Sequence, residues 1–122
     1  MKSVLKRAEK ASKELSQLNL KSLKLARIKI TKDNPDTGHF RLKAFLTEKE
    51  CIEIFEFYFS GNLLKYSYTY IKDNNSILRY DNAPHHKKLK SFPHHKHVKD
   101  IIKELEEPLL EEFIRELMKI RL

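Results

Sequence analysis

The chain is 122 residues long, which suits one hydrophobic core and is short for two, so residues 1–122 are expected to form a single domain. The content of 40% hydrophobic residues excludes a disordered chain. The single cysteine, Cys51, excludes a disulfide scaffold and a cysteine-based zinc finger. No apolar run reaches the roughly 18 residues of a membrane span. A net charge of +8 makes a polyanion the natural partner, and without a signal-peptide pattern we expect a cytoplasmic protein with no membrane partner.

The first two thirds of the chain predict one helix followed by strands. Apolar residues recur every three or four positions over residues 3–18, which is typical of an amphipathic helix. From Leu23 the apolar residues alternate as in a strand, and a reversal is expected over Asp33–Gly38, which contains Asn-Pro and a glycine. Further strands are predicted at 40–46, 51–59, 64–71 and 77–81. In the 51–59 strand, regular alternation would place Glu53 and Glu56 on opposite faces, so a bulge or a helical start is expected there.

The last part of the chain predicts helices. Helical spacing returns from Val98 onwards, and Pro108 is expected to split the segment near Glu106 or Glu107 and to lie in the first turn of a second helix. The fold class is therefore α+β: a two-layer antiparallel β-meander of about five strands, with an N-terminal helix and a C-terminal helical arm. Three roles are open for this arm, namely core, a homodimer contact, or a docking site for a partner; core ranks first.

The excess positive charge is confined to two segments. Residues 1–32 contain ten bases and two acids, and residues 79–97 contain five bases and one acid. In the first segment a solvated helix face explains the lysines as well as a binding face does. If these bases neutralise phosphates, the candidate nucleic-acid contacts are Lys6, Arg7, Lys10, Lys87, Lys88, Lys90 and Lys96.

Five of the six histidines fall within 13 residues of the second segment: His85, His86, His94, His95 and His97. Two X-Pro-His-His units, at Pro84 and Pro93, recur nine residues apart, and each proline restricts the backbone just before a histidine pair. This cluster is the main candidate for chemistry in the sequence.

In a first account the histidines are catalytic. Neutral and charged imidazole coexist near neutral pH, so one histidine can take the proton of an RNA 2′-hydroxyl while another protonates the departing 5′-oxygen. Arg79 and the lysines would neutralise charge on phosphorus, and Asp81 would either orient a histidine or cap a turn. No metal or other cofactor is required. The candidate catalytic residues are His86, His94, His95, His97, Arg79 and Asp81.

Two other accounts of the histidines are open. His95 and His97 have the spacing of two metal ligands on one strand face, and Asp81 can add an oxygen, although the flanking lysines oppose a dication. Alternatively, the histidines only support an exposed basic loop or contact phosphate. The nearby tyrosines are equally ambiguous, because rings at alternate positions either stack on bases or fill the core; Tyr68 and Tyr80 are retained as candidate RNA contacts.

The run RYDNAPHH, followed by FPHHKH, resembles the signature of the TumE-type toxin family of prokaryotic toxin–antitoxin modules. The likeness is strongest over residues 66–98. It implies a small toxin that acts on RNA and that is held inactive by a cognate antitoxin with a helix-turn-helix DNA-binding domain. The motif positions of the family are present throughout, from Arg79 to His97.

These observations predict the toxin of a toxin–antitoxin pair, acting as a metal-independent ribonuclease with clustered histidines as general acid and base. RNA and the antitoxin are its expected partners. Two alternatives stay open: a non-catalytic module that binds nucleic acid or a partner protein, and a metal-dependent nuclease in which the histidines are ligands.

Overall fold

The computed structural model describes residues 3–121, in which a helix precedes and a helix follows one antiparallel sheet. The helices are α1 (Val4–Ser16) and α2 (Leu110–Arg121). The strands are β1 (Ser22–Thr31), β2 (Asn34–Phe45), β3 (Glu50–Phe59), β4 (Asn62–Lys72), β5 (Asn75–Asp81), β6 (His95–Val98) and β7 (Ile101–Glu104). Each strand pairs with the next, so the sheet order is the chain order. The predicted α+β meander with terminal helices is confirmed, with seven strands where about five were expected.

The two faces of the sheet have different surroundings, because successive side chains of a strand point to opposite sides. On the covered face, Phe40, Ile54, Tyr68 and Leu78 belong to one buried cluster with the apolar stripes of both helices. Helix α1 contacts β1 and β2, whereas α2 contacts β4. We call the opposite side the open face, since within residues 3–121 neither helix packs on it.

In strand β3, Glu53 and Glu56 lie on opposite faces of the sheet. Glu53 is exposed on the open face, whereas Glu56 is completely buried on the covered face and accepts hydrogen bonds from the hydroxyls of Tyr58 (2.6 Å) and Tyr68 (2.5 Å). The strand therefore alternates regularly and the expected helical start is wrong. Its pairing with β4 is irregular only between Phe57 and Tyr58, near its end.

The helix predicted from Val98 is also wrong over its first residues. Residues 95–104 form the β6–β7 hairpin, with Lys99 in a left-handed conformation (φ 55°) at the turn. The Lys99 amide donates to the Ile77 carbonyl (3.0 Å), because the edge of β5 offers backbone partners that an isolated segment lacks. The second helix begins at Leu110, so Pro108 precedes it instead of occupying its first turn.

One smaller difference concerns the first hairpin. The reversal lies between Thr31 and Asn34, so most of the predicted turn, Asp33–Gly38, is already part of β2. Among residues 3–121, neither helix has the length and apolar character needed to cross a membrane.

Candidate functional site

The carboxylate of Asp81, at the end of β5, is the centre of the histidine-containing region on the open face. Its side chain is 6% exposed. One oxygen accepts from the Ala83 amide (3.0 Å) and lies 3.0 Å from His95 Nε2, and the other accepts from Arg79 Nε (2.9 Å). His97 Nε2 lies 3.6 Å from the same carboxylate. Asp81 thus fixes Arg79 and lies beside two histidines, and its bond to Ala83 also caps the turn.

Both ring nitrogens of His95 are engaged. Nε2 lies 3.0 Å from Asp81, and Nδ1 lies 3.1 Å from the Pro93 carbonyl oxygen. The side chain is 2% exposed, so the ring is enclosed by protein. His95 consequently orients the site and has no route to touch a substrate.

His86 and His97 are half-buried and lie beside His95. The ring centroids are 4.7 Å apart for His86 and His95, 4.9 Å for His95 and His97, and 5.9 Å for His86 and His97. Burial lowers the pKa of His97; the carboxylate of Asp81 opposes this shift, and the nearby cations add to it. A neutral His97 at pH 7 can accept a proton or a metal.

His94 does not join this group, although it is next to His95 in the sequence. Its Nδ1 lies 2.9 Å from the hydroxyl of Tyr66, a covered-face residue, and the two rings stack at 5.7 Å. Burial and the neighbouring charge of His95 lower the pKa of His94. The predicted set of catalytic histidines therefore separates into a cluster of His86, His95 and His97, and a single His94.

Two hydroxyl groups that the sequence analysis did not select support this arrangement. Thr69 Oγ1, on β4, accepts from Arg79 (3.1 Å), which fixes the guanidinium beside Asp81. Ser91 Oγ donates to the His94 carbonyl (2.6 Å) and accepts from the Leu105 amide (3.0 Å), which ties the loop to the end of β7. Cross-strand pairing could have suggested Thr69; no sequence signal marks Ser91.

The predicted RNA contacts are distributed over both sides of the sheet. Lys87, Lys88 and Lys90 are exposed on the loop next to the histidines. Lys96 lies on the covered face, where its Nζ donates to Glu116 (3.0 Å). Tyr68 and Tyr80 are 1% and 3% exposed, so their rings are not accessible for stacking on bases in this structure. The reason is that α2 covers them.

Helix α1 is on the far side of the sheet from the histidine cluster. Lys6 and Lys10 are exposed there. The Arg7 guanidinium is committed to the interior, since its Nε donates to the Tyr58 hydroxyl (2.8 Å) and it lies 3.7 Å from Glu56. The predicted basic helix and the predicted basic loop therefore do not form one surface.

The cluster also has the composition of a metal site. One nitrogen from each of His86, His95 and His97 lies within 4.8 Å of the others. Three ligands on a tetrahedral zinc ion would be about 3.3 Å apart, given bonds of about 2.0–2.1 Å. Metal binding would also require His95 to give up its contact with either Asp81 or Pro93, because a ligand nitrogen carries no proton. The geometry therefore fits a metal less well than it fits an acid–base cluster.

Comparison with known proteins identifies the same family as the histidine motif. The family model described as Toxin TumE matches residues 13–121. The chain belongs to the TumE toxin family. Searches of curated proteins and of solved structures give no match. As a TumE toxin, the protein is the toxin component of a toxin–antitoxin system and has a cognate antitoxin as its partner.

Proposed function

We propose that this TumE toxin is a cytoplasmic, metal-independent ribonuclease whose base is His97 and whose acid is His86. The observation that supports the proposal best is a half-exposed imidazole, His97, with a lowered pKa, 3.6 Å from a carboxylate that is itself held in place. An efficient general base has a pKa near or below the working pH, so that its unprotonated form dominates. His86 is the second accessible ring of the cluster, 5.9 Å from His97 between centroids.

The proposed step uses the nucleophile that RNA carries. His97 accepts the 2′-hydroxyl proton, and the 2′-oxygen attacks the adjacent phosphorus. The bond from phosphorus to the 5′-oxygen breaks as His86 donates a proton to that oxygen. The products are a 2′,3′-cyclic phosphate and a 5′-hydroxyl, so protons and electrons balance without water or a metal. Arg79, with 42% of its side chain exposed, would stabilise the charge on the phosphoryl oxygens.

Asp81 and His95 act as positioning residues in this proposal. Asp81 holds Arg79 Nε at 2.9 Å and keeps the ring of His97 nearby. His95, buried between His86 and His97, fixes the spacing of both rings. A base and an acid must be held within about 0.5 Å of a productive geometry, which such supporting contacts achieve.

The test is cleavage of a labelled RNA oligonucleotide by the purified toxin in the presence of EDTA. We expect cleavage with a 2′,3′-cyclic phosphate end, and we expect a single 2′-deoxy substitution to protect its own linkage. His97→Ala and His86→Ala should each reduce the rate by about 10²–10⁴-fold. His85→Ala is the matched control, since this exposed neighbour lies in the same loop and is expected to retain activity. Equal losses in all three variants, or no cleavage by the wild type, would refute the proposal.

A metal-dependent nuclease is the second candidate, supported by the approach of three histidine nitrogens to within 4.8 Å. It predicts that EDTA abolishes cleavage and that added Zn²⁺ restores it. It also predicts stoichiometric Zn²⁺ binding that His95→Ala removes. These outcomes separate the two candidates, because the acid–base proposal predicts full activity in EDTA.

We further propose that the cognate antitoxin has a helix-turn-helix DNA-binding domain, as the family resemblance implies. The neighbouring open reading frame tests this directly. A gene for a helix-turn-helix protein supports the proposal, and an unrelated metabolic gene contradicts it.

A further inference from the structure

The open face of β1–β5 carries an excess of positive charge that the basic helix and loop do not include. Register pairs place Lys24, Arg27, Lys29, Arg41, Lys43, Lys65 and Arg79 on this face. Glu53 is an exposed acid among them, and its Oε1 lies 3.7 Å from Lys43 Nζ. Asp81 is buried and already paired with Arg79. These bases come from separate parts of the chain, and only the pairing of the strands brings them together.

A groove of about 340 Å³ lies in the middle of this face. Four basic side chains line it, Arg41, Lys43, Lys65 and Arg79, together with Phe55, two hydroxyl residues and the carboxylate of Glu53. At one end, Arg79 is the register partner of His97 across β5 and β6. The groove is therefore continuous with the proposed site of cleavage.

Aromatic rings are interspersed with these bases. Phe55 is half-buried, and the guanidinium of Arg41 lies over its ring, 4.3 Å from the centroid. Phe57 is also half-buried on this face, two residues further along β3. Proteins that bind single-stranded nucleic acid combine basic side chains, which contact the backbone phosphates, with aromatic rings between them. Unpaired nucleobases stack on the aromatic and guanidinium planes.

We propose that this open face, from Arg79 to Arg27, is the binding track for single-stranded RNA leading to the histidine cluster. The inference rests on the proposed function, since it identifies the class of substrate and the path by which it reaches that site. Strands are about 4.8 Å apart, so β1 and β5 are separated by about 19 Å, which accommodates several nucleotides. Helix α1, whose bases the sequence favoured, lies on the opposite side and takes no part.

The experiment is fluorescence anisotropy with a labelled single-stranded DNA oligonucleotide, which lacks a 2′-hydroxyl and so is bound without cleavage. The double variant Arg41→Gln/Lys65→Gln should weaken binding about tenfold or more, and should make the salt dependence of log K shallower by about 1.4, at about 0.7 for each phosphate contact. Lys6→Gln/Lys10→Gln is the matched control, with the same loss of charge on the other side of the sheet. It should change affinity less than about twofold.

Phe55→Leu gives a second, independent readout. It keeps an apolar side chain and the net charge but removes the stacking plane, so affinity should fall while the salt dependence stays unchanged. Thermal unfolding by circular dichroism confirms that each variant is folded. Equal effects of the open-face and α1 double variants would overturn the proposal. So would unchanged oligonucleotide binding combined with loss of the antitoxin complex, which would identify the face as a protein-binding surface.

Binding and cleavage fail in distinguishable ways. If the wild type binds through the open face but never cleaves RNA, the ribonuclease proposal is wrong and the binding track stands. If the open-face double variant binds and cleaves like the wild type, the track is wrong and the histidine mechanism stands.

Discussion

Oδ1 of Asp81 lies 3.0 Å from His95 Nε2, and both side chains are almost completely buried. The other carboxylate oxygen accepts from Arg79 Nε at 2.9 Å. Loss of a hydrogen bond to a buried charged group is costly. This relationship gives the first prediction.

Asp81→Asn should lower the free energy of unfolding by about 2 kcal/mol, the size of effect expected when hydrogen bonds to a buried charged group are lost. The measurement is urea unfolding at pH 7. Asp100→Asn, an exposed carboxylate at the β6–β7 turn, is the control and should change stability by less than about 0.5 kcal/mol. If both variants behave alike, the contacts of Asp81 do not stabilise the fold.

The pKa of His97 should respond in opposite directions to its two charged neighbours. Asp81 raises this pKa and Arg79 lowers it, while burial holds it below the ordinary value of 6.5. We therefore expect Asp81→Asn to lower it further and Arg79→Gln to raise it. An NMR titration of the His97 ring measures the shift directly. If His97 is the base, the acidic limb of the cleavage rate should move in the same two directions.

The lowered pKa of His97 also determines how the stability of the fold changes with pH. Below about pH 6.5 the unfolded chain takes up a proton at His97 that the folded chain does not. The free energy of unfolding should therefore decrease as the pH falls from 7 through this range, and His97→Ala should reduce that decrease. A pH-independent stability between 7 and 5.5 would contradict the assignment.

Glu50 should stabilise the fold in a different pH range. Arg121 of α2 donates two hydrogen bonds to it, each 3.0 Å long, and together with Tyr70 lowers its pKa from 4.5 to about 2 against the effect of burial. The contribution is complete above pH 4.5 and is lost as the pH falls toward 2. Unfolding of Glu50→Gln and wild type should thus differ most at neutral pH and converge in acid. Glu48→Gln, an exposed neighbour, should show little difference throughout.

Turn chemistry made most of the fold predictable. Ser60-Gly61 and Asp73-Asn74 adopt positive φ at the tips of the β3–β4 and β4–β5 hairpins, as their residue types suggest. The segment after Val98 was ambiguous because apolar residues at 98, 101 and 102 suit both a helix stripe and two short strands. The segment forms strands because it pairs with β5. This tertiary contact cannot be read from the local spacing of apolar residues.

The candidate site was predictable in composition but not in arrangement. Its motif identifies the histidines, yet His94 and His95 point to different surroundings because β6 begins between them. The contact of Lys96 with Glu116 on the covered face follows from the same alternation. Apart from Arg79, the open-face bases were missed because their segments looked like ordinary strands with polar faces. Their proximity depends on the register of five strands, which the sequence alone does not fix.

Gly38 is the position at which that register depends on a single residue type. It adopts φ 146° opposite Ile30, and a Cβ atom there would lie 2.1 Å from the Lys29 carbonyl oxygen. Gly38→Ala forces backbone movement, because the oxygen belongs to the paired strand and not to a flexible side chain. We expect a loss of at least about 2 kcal/mol in the free energy of unfolding, measured in urea.

Gly61→Asn is the control for this variant. Gly61 also has a positive φ, of 80°, but it lies at a partly exposed hairpin tip, where asparagine tolerates the left-handed region. Its stability should stay within about 1 kcal/mol of the wild type. Since β1 carries Arg27 and Lys29 of the proposed binding track, Gly38→Ala should also weaken oligonucleotide binding. A stable Gly38→Ala protein with unchanged binding would show that β1 pairs with β2 more loosely than the close approach at Gly38 implies.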